Sequence, residues 1–371
     1  MMLYDTKARA IVPFEPGPIA TMYTCGITPY DSSHLGHATA YLTYDVLQRR
    51  LRDRGHETRC VRNYTDVDDD ILRKARELGV HYLDLAASQI AVFDRDMTAL
   101  GLIEPYSAPR ATSAIADIRR LIGQVLDNGH AYQASGAVYF SVSSFEGFGS
   151  VSGLDRDKML ELAAEHGGNP GDPNKRDPLD FILWQPSAPD EPAWDSLWGP
   201  GRPGWHIECS ALAMRELDSP TIDLHGGGSD LVFPHHECES AQSEAASGEP
   251  FVTHWMHQAM VRMDGEKMSK SLGNLVFVHD LLDEGYEAGA IRLGVLKHHY
   301  RDEWSWNDSL MPDAALQLER WKAAGVGDAG LVEVRAALDN DLDTPAAVAA
   351  IDVAAETGGV SRAAGLLGVS F

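Results

Sequence analysis

Residues 19–37 read IATMYTCGITPYDSSHLGH, and this stretch decides the fold. Ile19 to Cys25 is an apolar, β-branched run of strand type that ends in a glycine-containing loop. A helix is expected from about Leu35 to Arg54. Leu35, Ala38, Leu42, Val46, Leu47 and Leu51 fall near helical spacing, and Gly55 stands where a C-terminal cap belongs. His56 to Asn63 reads as a second strand and Asp68 to Leu78 as a second helix. Strand, loop, helix, strand, helix is the order of a parallel α/β sheet.

Outward from this stretch the rhythm changes. Leu102 to about Arg176 holds a helix (Ala111 to Asn128), a hairpin (Ala131 to Val142) and a Gly/Pro-rich loop from Glu165 to Pro173. It reads as an insertion in the sheet domain. Asp180 to Gln185, Thr221 to Leu224 and His254 to Val261 resume strand patterns, and a helix is expected from near Pro234 to Ala246. Most of Leu281 to Phe371 reads as a small helical bundle rich in Ala and Leu. The expected architecture is α/β: a Rossmann-like parallel sheet with an inserted α+β region and a C-terminal helical bundle. The sheet domain takes residues 1–104 and 177–262, the insertion 105–176, a lysine-loop segment 263–309 and the bundle 310–371.

At 371 residues the chain is long for one core, which suits several sub-domains. The formal net charge of −24 and the absence of a long basic run disfavour a large nucleic-acid partner. From Leu272 onward there are 7 Lys/Arg against 16 Asp/Glu. Cys25, Cys60, Cys209 and Cys238 are scattered, as reduced thiols or metal ligands would be in a cytoplasmic protein. Met1 to Ala10 has no apolar leader segment, and no apolar run approaches the ~18 residues of a membrane span. A cytoplasmic, soluble chain without a membrane is expected, and a monomer is compatible with it.

Two distant segments carry phosphate chemistry. His34 and His37 flank Gly36 at a helix start, where imidazoles, free N–H groups and the helix dipole can all meet phosphate oxygens. Lys267 and Lys270, in Lys267-Met268-Ser269-Lys270-Ser271, can neutralise a departing pyrophosphate. Alone, the first segment is equally a helix start with surface histidines and the second a polar loop. Between them Asp223 to Asp230 ends a strand with Gly226, Gly227 and Gly228, which permits close approach of a nucleotide; an ordinary turn needs fewer glycines. Cys25, Cys209 and one of His235 or His236 make a soft donor set for zinc with an open position. Read singly, the two cysteines are equally small core residues. Glu239, on the His235 face of one helix, can be a fourth ligand or an outer partner. Trp205 can wall a thiol pocket or belong to the core. Asp66, Asp68, Asp69 and Asp70 read mainly as helix N-terminal capping.

These residues resemble the cysteinyl-tRNA synthetase family, over about Leu3 to Trp306. The likeness rests on Cys25 to Thr28, His34 to His37, Thr65 to Asp69, Gly201 to Ser210, His225 to Asp230, Phe233 to Glu237 and Lys267 to Ser271. It implies a class I catalytic fold with a stem-contact-like region at 263–309, ATP with Mg2+ as co-substrate, one zinc ion, and cysteinyl-adenylate formation. By position, Cys25, Cys209 and His235 would bind zinc. Cys25, Gly26, Ile27, Thr28, Asn63, Tyr64, Thr65 and Trp205 would line the L-cysteine pocket. Gly36, Gly226, Gly227, Gly228, Ser229 and Asp230 would meet the nucleotide, with His34, His37, Lys267 and Lys270 on the phosphates and Asp230 on the incoming amine. Within the family the chain is most similar to the mycothiol-pathway branch, which joins cysteine to glucosaminyl-inositol. Gly26 to Tyr30 and Glu165 to Pro170 carry that likeness, and the short stretch after Asp341 to Pro345 fits it. His166, Asn169 and Ala40 depart from the pattern, and Glu239 resembles a fourth zinc ligand found in the synthetases. The alternatives are a short cysteinyl-tRNA synthetase and a zinc-stabilised nucleotide-binding module without catalysis.

Overall fold

The computed structural model describes residues 1–30, 34–263, 265–267 and 275–371. An antiparallel ribbon, β1 (Met2–Asp5) with β2 (Ala10–Pro13), precedes the central sheet. That sheet begins with β3 (Ile19–Ile27), crosses over through α1 (Leu35–Asp53), and returns parallel as β4 (Glu57–Tyr64). Helices α2 (Asp69–Leu78) and α3 (Tyr82–Ala99) follow. Asp68 starts α2 by accepting the Ile71 N–H at 2.8 Å, and Gly79 closes it in a left-handed conformation.

The insertion contains α4 (Ile115–Asp127), the hairpin β5 (Ala131–Ala134) and β6 (Ala137–Phe140), and α5 (Arg156–Glu165). Strand β7 (Phe181–Gln185) was assigned by sequence to the second half of the sheet domain. It pairs instead antiparallel with β6, and with β8 (Arg202–Pro203), in a separate sheet. Its hydrophobic pattern marks a strand but carries no information about which sheet receives it.

After α6 (Trp205–Leu217) the chain rejoins the parallel sheet as β9 (Leu224–Gly228). A turn at Val232–His236 leads into α7 (Glu237–Ser247), and β10 (Trp255–Gln258) lies parallel to β9. The order is β10-β9-β3-β4. The chain thus leaves β3 toward β4 and comes back on its other side at β9. This reversal opens a crevice at the carboxyl ends of β3 and β9. Beyond it lie β11 (Val261–Met263), β12 (Glu266–Lys267), α8 (Val278–Asp283), α9 (Ala288–Leu296) and β13 (Trp304–Trp306). Helices α10 (Leu310–Ala324), α11 (Leu331–Asp339), α12 (Thr344–Ala355) and α13 (Ser361–Leu366) complete the described chain.

The expected strand at Thr221–Leu224 lies later, so Gly226, Gly227 and Gly228 are strand residues, not a loop. Gly226 packs on Tyr44 of α1, where any Cβ would collide with the phenol ring. The Tyr44 hydroxyl donates toward the Gly227 and Met256 carbonyls at 3.0 and 2.8 Å. Glycine here lets a helix approach the sheet closely, at the expense of strand propensity.

Alternation along the strands divides the core. Met22, Leu224 and Met256 face α1 and join one apolar cluster with Ile291, Trp321 and Val348 from the C-terminal helices. Tyr23 and Trp255 face α6 and α7 and join Phe140, Phe181 and Leu183 of the insertion. Arg292 of α9, fully buried, pairs with Asp45 of α1 and donates to the Leu100 and Leu367 carbonyls.

Candidate active site

Gly26 sits where β3 bulges against β4. A side chain there would strike the Asn63 backbone carbonyl, and the Gly26 N–H donates to Asn63 Oδ1 at 2.8 Å. The close approach turns Cys25 and Thr28 toward a cleft of about 870 Å³ at the carboxyl ends of the strands. Cys25, Gly26, Ile27, Thr28, Trp205 and His206 line one part of it. His34, Gly36, His37, Gly227, Gly228 and Asp230 line another.

Beneath the cleft the side chains of Cys25, Cys209, His235 and Glu239 converge. One ligand atom from each lies within 4.8 Å of every other, and all four residues are buried. They come from β3, α6, the Val232–His236 turn and α7. His235 Nε2 is 3.0 Å from Glu239 Oε1 yet makes no hydrogen bond. Cys25 Sγ is 3.6 Å from the same carboxylate oxygen. Two sulfurs, an imidazole and a carboxylate, buried and directed at one point, fit zinc by distance and by chemistry. At its other nitrogen, Nδ1, His235 meets His206 Nδ1 at 2.8 Å, and Trp205 stacks on its ring with centroids 4.0 Å apart. Such outer contacts fix the orientation of a ligand imidazole.

The four groups also interact strongly through charge. The hydrogen bond from the Cys25 thiol favours the Cys209 thiolate, holding that group down to about 6, while burial pushes Cys25 well up. Burial opposes the charge on His235, but Glu239 and Cys209 outweigh it and raise the imidazole to about 10. Burial likewise opposes the Glu239 charge, yet His225 and His235 hold that carboxyl down to about 2. Without a metal the group is thus a thiolate and a carboxylate around an imidazolium, and a bound cation would take the place of the protons on Cys25 and His235.

His225, His236 and His257 form a second layer; of these only His236 is named by the sequence, as an alternative to His235. His236 Nε2 approaches Cys25 Sγ at 3.3 Å and its Nδ1 meets His257 Nε2 at 2.8 Å. His225 Nε2 lies 3.0 Å from Glu239 Oε2. Cys25, His225, His236 and Glu239 therefore make an overlapping donor group. Burial keeps His236 and His257 well below the usual imidazole range, and neighbouring imidazoles add to it. The only sequence signal for this layer was the density of histidines around residues 225–257.

Not every expected residue reaches the cleft wall. Tyr64 turns its hydroxyl to Asp94 and its ring toward Phe93 of α3. Asn63 and Thr65 are buried, joined by a 3.1 Å hydrogen bond, and shape the floor under Gly26. Gly226 faces Tyr44, and Ser229 lies off the wall. The reason is strand alternation: next-door residues cannot all face one cavity. Asp68, read as a cap, does cap α2 but also lines the cleft and accepts from Thr28 Oγ1 at 3.1 Å.

At the start of α1 the rings of His34 and His37 stack at 3.9 Å. Leu35 N–H donates to Val276 O at 2.7 Å, and His34 bridges to Phe277. Val276 and Phe277 thus lie at the very start of α1. Lys267, in β12, pairs through its backbone with Arg262 of β11, whereas Met268 to Ser271 lie outside the described residues. No helix among the described residues is long and apolar enough to cross a membrane.

Comparison with known proteins fits this geometry. The family described as tRNA synthetases class I (C) catalytic domain matches residues 11–316. A Nocardiopsis dassonvillei protein is 50% identical over 363 residues, covering 96% of this chain and 89% of its own. A Mycobacterium ulcerans protein is 47% identical over 362 residues, covering 95% and 88%. Both are named L-cysteine:1D-myo-inositol 2-amino-2-deoxy-alpha-D-glucopyranoside ligase. Among solved structures, Mycobacterium tuberculosis methionyl-tRNA synthetase with methionyl-adenylate aligns with a TM-score of 0.65 at 18% identity, over 91% of this chain and 82% of that one. The Agrobacterium radiobacter leucyl-tRNA synthetase ternary complex gives 0.65 at 12%, over 96% and 83%. These two share the fold. With the parallel sheet, the crevice at its reversal point and the matched motifs on its rim, the chain belongs to the class I (C) tRNA synthetase catalytic family.

Proposed function

We propose that this chain is an ATP-dependent, AMP-forming ligase. It activates L-cysteine as cysteinyl-adenylate and transfers the cysteinyl group to the 2-amine of glucosaminyl-inositol, the step of mycothiol biosynthesis named by its relatives. The convergence of Cys25, Cys209, His235 and Glu239 at the base of a nucleotide-sized cleft carries this reading. The names of relatives 46 to 50% identical support it.

A zinc ion held by Cys25, Cys209 and His235, with Glu239 in reach, supplies a soft acceptor for the substrate thiolate when bound. Serine offers a harder hydroxyl that stays protonated. A site built on one such contact rejects the analogue lacking it by about 10⁴-fold without editing. Trp205 and Thr28 border the amino acid. Gly227 and Gly228 let the nucleotide lie against the sheet, and His34, His37, Lys267 and Lys270 balance charge on the triphosphate with its Mg2+. The cysteine carboxylate forms a new O–P bond at the α-phosphorus as the bond to pyrophosphate breaks. The amine, as free base, then forms the C–N bond while the acyl–AMP bond breaks, and Asp230 receives or orients the amine proton.

Purified protein with ATP and cysteine should exchange pyrophosphate, and AMP release should rise with glucosaminyl-inositol but not with tRNA. Stimulation by tRNA alone would return the chain to the synthetase reading.

A further inference from the structure

Beyond the surfaces proposed for zinc, cysteine and nucleotide, the cleft has one more wall. The start of α2 and the segment joining α5 to β7 build it from opposite sides of the sequence. Asp69, Asp70, Glu165 and Asp172 line it, with Arg73 and Lys175 as its cations. Parts of this wall are fixed in place. Asp172 accepts from the Asn174 N–H at 2.9 Å and from the Tyr139 hydroxyl at 2.7 Å. The Lys175 ammonium donates to the Gly168 carbonyl, and the nearly buried Arg202 grips Asp69. Helix α5 packs on the turn that carries His235, so the wall stands beside the presumed thiol pocket. Asp70 and Arg73 differ from the others: they pair at 2.7 Å while their side chains remain 46% and 64% exposed.

Charge and donor type together define what fits. Carboxylates outnumber cations on this wall, which repels a phosphodiester and draws in an ammonium. An acceptor carboxylate beside a planar guanidinium matches adjacent hydroxyls, each of which both gives and receives hydrogen bonds. We infer that the wall between α2 and the α5–β7 segment is the acceptor subsite, taking an uncharged polyol that bears one primary amine, with Asp70 and Arg73 binding its hydroxyls. This rests on the ligase reading above and adds the residues that choose the acceptor.

The test uses the full chain and the D70N/R73A double variant. Both positions are substantially exposed, so folding should survive. Cysteine-dependent ATP–pyrophosphate exchange, which these side chains do not serve, should stay within about twofold, while KM for glucosaminyl-inositol should rise about tenfold or more. An unchanged KM with intact exchange overturns the subsite. So does a parallel loss of both, which would make the wall part of cysteine activation. If the wild-type chain shows no exchange, the ligase reading fails instead. Calorimetric titration with glucosaminyl-inositol then decides the subsite: weaker binding to the variant supports it and equal binding removes it.

Discussion

His206 Nδ1 lies 2.8 Å from His235 Nδ1, at the opposite end of the imidazole from the nitrogen that faces Glu239. Burial, with the charge on His235 behind it, holds His206 down to about 3, so it meets its neighbour as a neutral ring. That contact fixes which way His235 points. His206→Ala is expected to weaken zinc binding about ten- to a hundredfold. Competition against a chromophoric chelator measures this, and an unaltered affinity would dismiss the orienting role.

Two overlapping donor groups share Cys25 and Glu239, and metal content separates them. On the proposed zinc site, His235→Ala and Cys209→Ser should each lose the metal and abolish cysteine-dependent exchange. His236→Ala should keep one zinc per chain. Metal analysis of the purified variants reads the result, and the reverse pattern would transfer the site to His225 and His236.

Asp68 gives a stability profile with a definite sign. Burial pushes its carboxyl up to about 6, against the hydrogen bond from the Ile71 N–H. The folded chain therefore binds that proton more tightly than the unfolded one, whose aspartates titrate near ~4. This contribution falls as pH rises from about 4 to 6 and is flat above. Asp68→Asn keeps a capping oxygen and should gain roughly 1–2 kcal/mol at neutral pH, with a shallower profile below it. Urea titrations across that window measure both.

The Arg292–Asp45 pair joins α9 to α1 with both side chains essentially buried. Arg292→Ala removes one of two guanidinium partners of Asp45, which keeps Arg49 and the Ile103 N–H, and should cost about 1.5–3 kcal/mol, seen as a lower urea midpoint. A double replacement of both partners by apolar residues should recover much of it.

The first strand–helix–strand unit is legible because Ile19 to Asn63 alternates and repeats with clear periods, and Cys25, Cys209 and His235, named from short motifs, do converge. The sequence reading misplaced β7 and β9 for different reasons. Phe181 to Gln185 looks the same in either sheet, since pairing partners are set by tertiary contacts. Leu224 to Gly228 looks like a turn, since Gly226 answers to Tyr44, a residue far off in the chain. Tyr64 was grouped with the pocket because it adjoins Asn63 and Thr65, but β4 sends it to the opposite side. The layer of His225, His236 and His257 required three segments to be superposed, which no local pattern expresses.

One peptide contact has reach beyond its size. Leu35 N–H, at the first turn of α1, is satisfied by the carbonyl of Val276. The start of α1 and the described chain beyond residue 274, remote in the gene, are thereby stitched through the backbone. Insertions or deletions between them can be absorbed elsewhere, but a change that misaligns Val276 would unsettle the first turn of α1 with it.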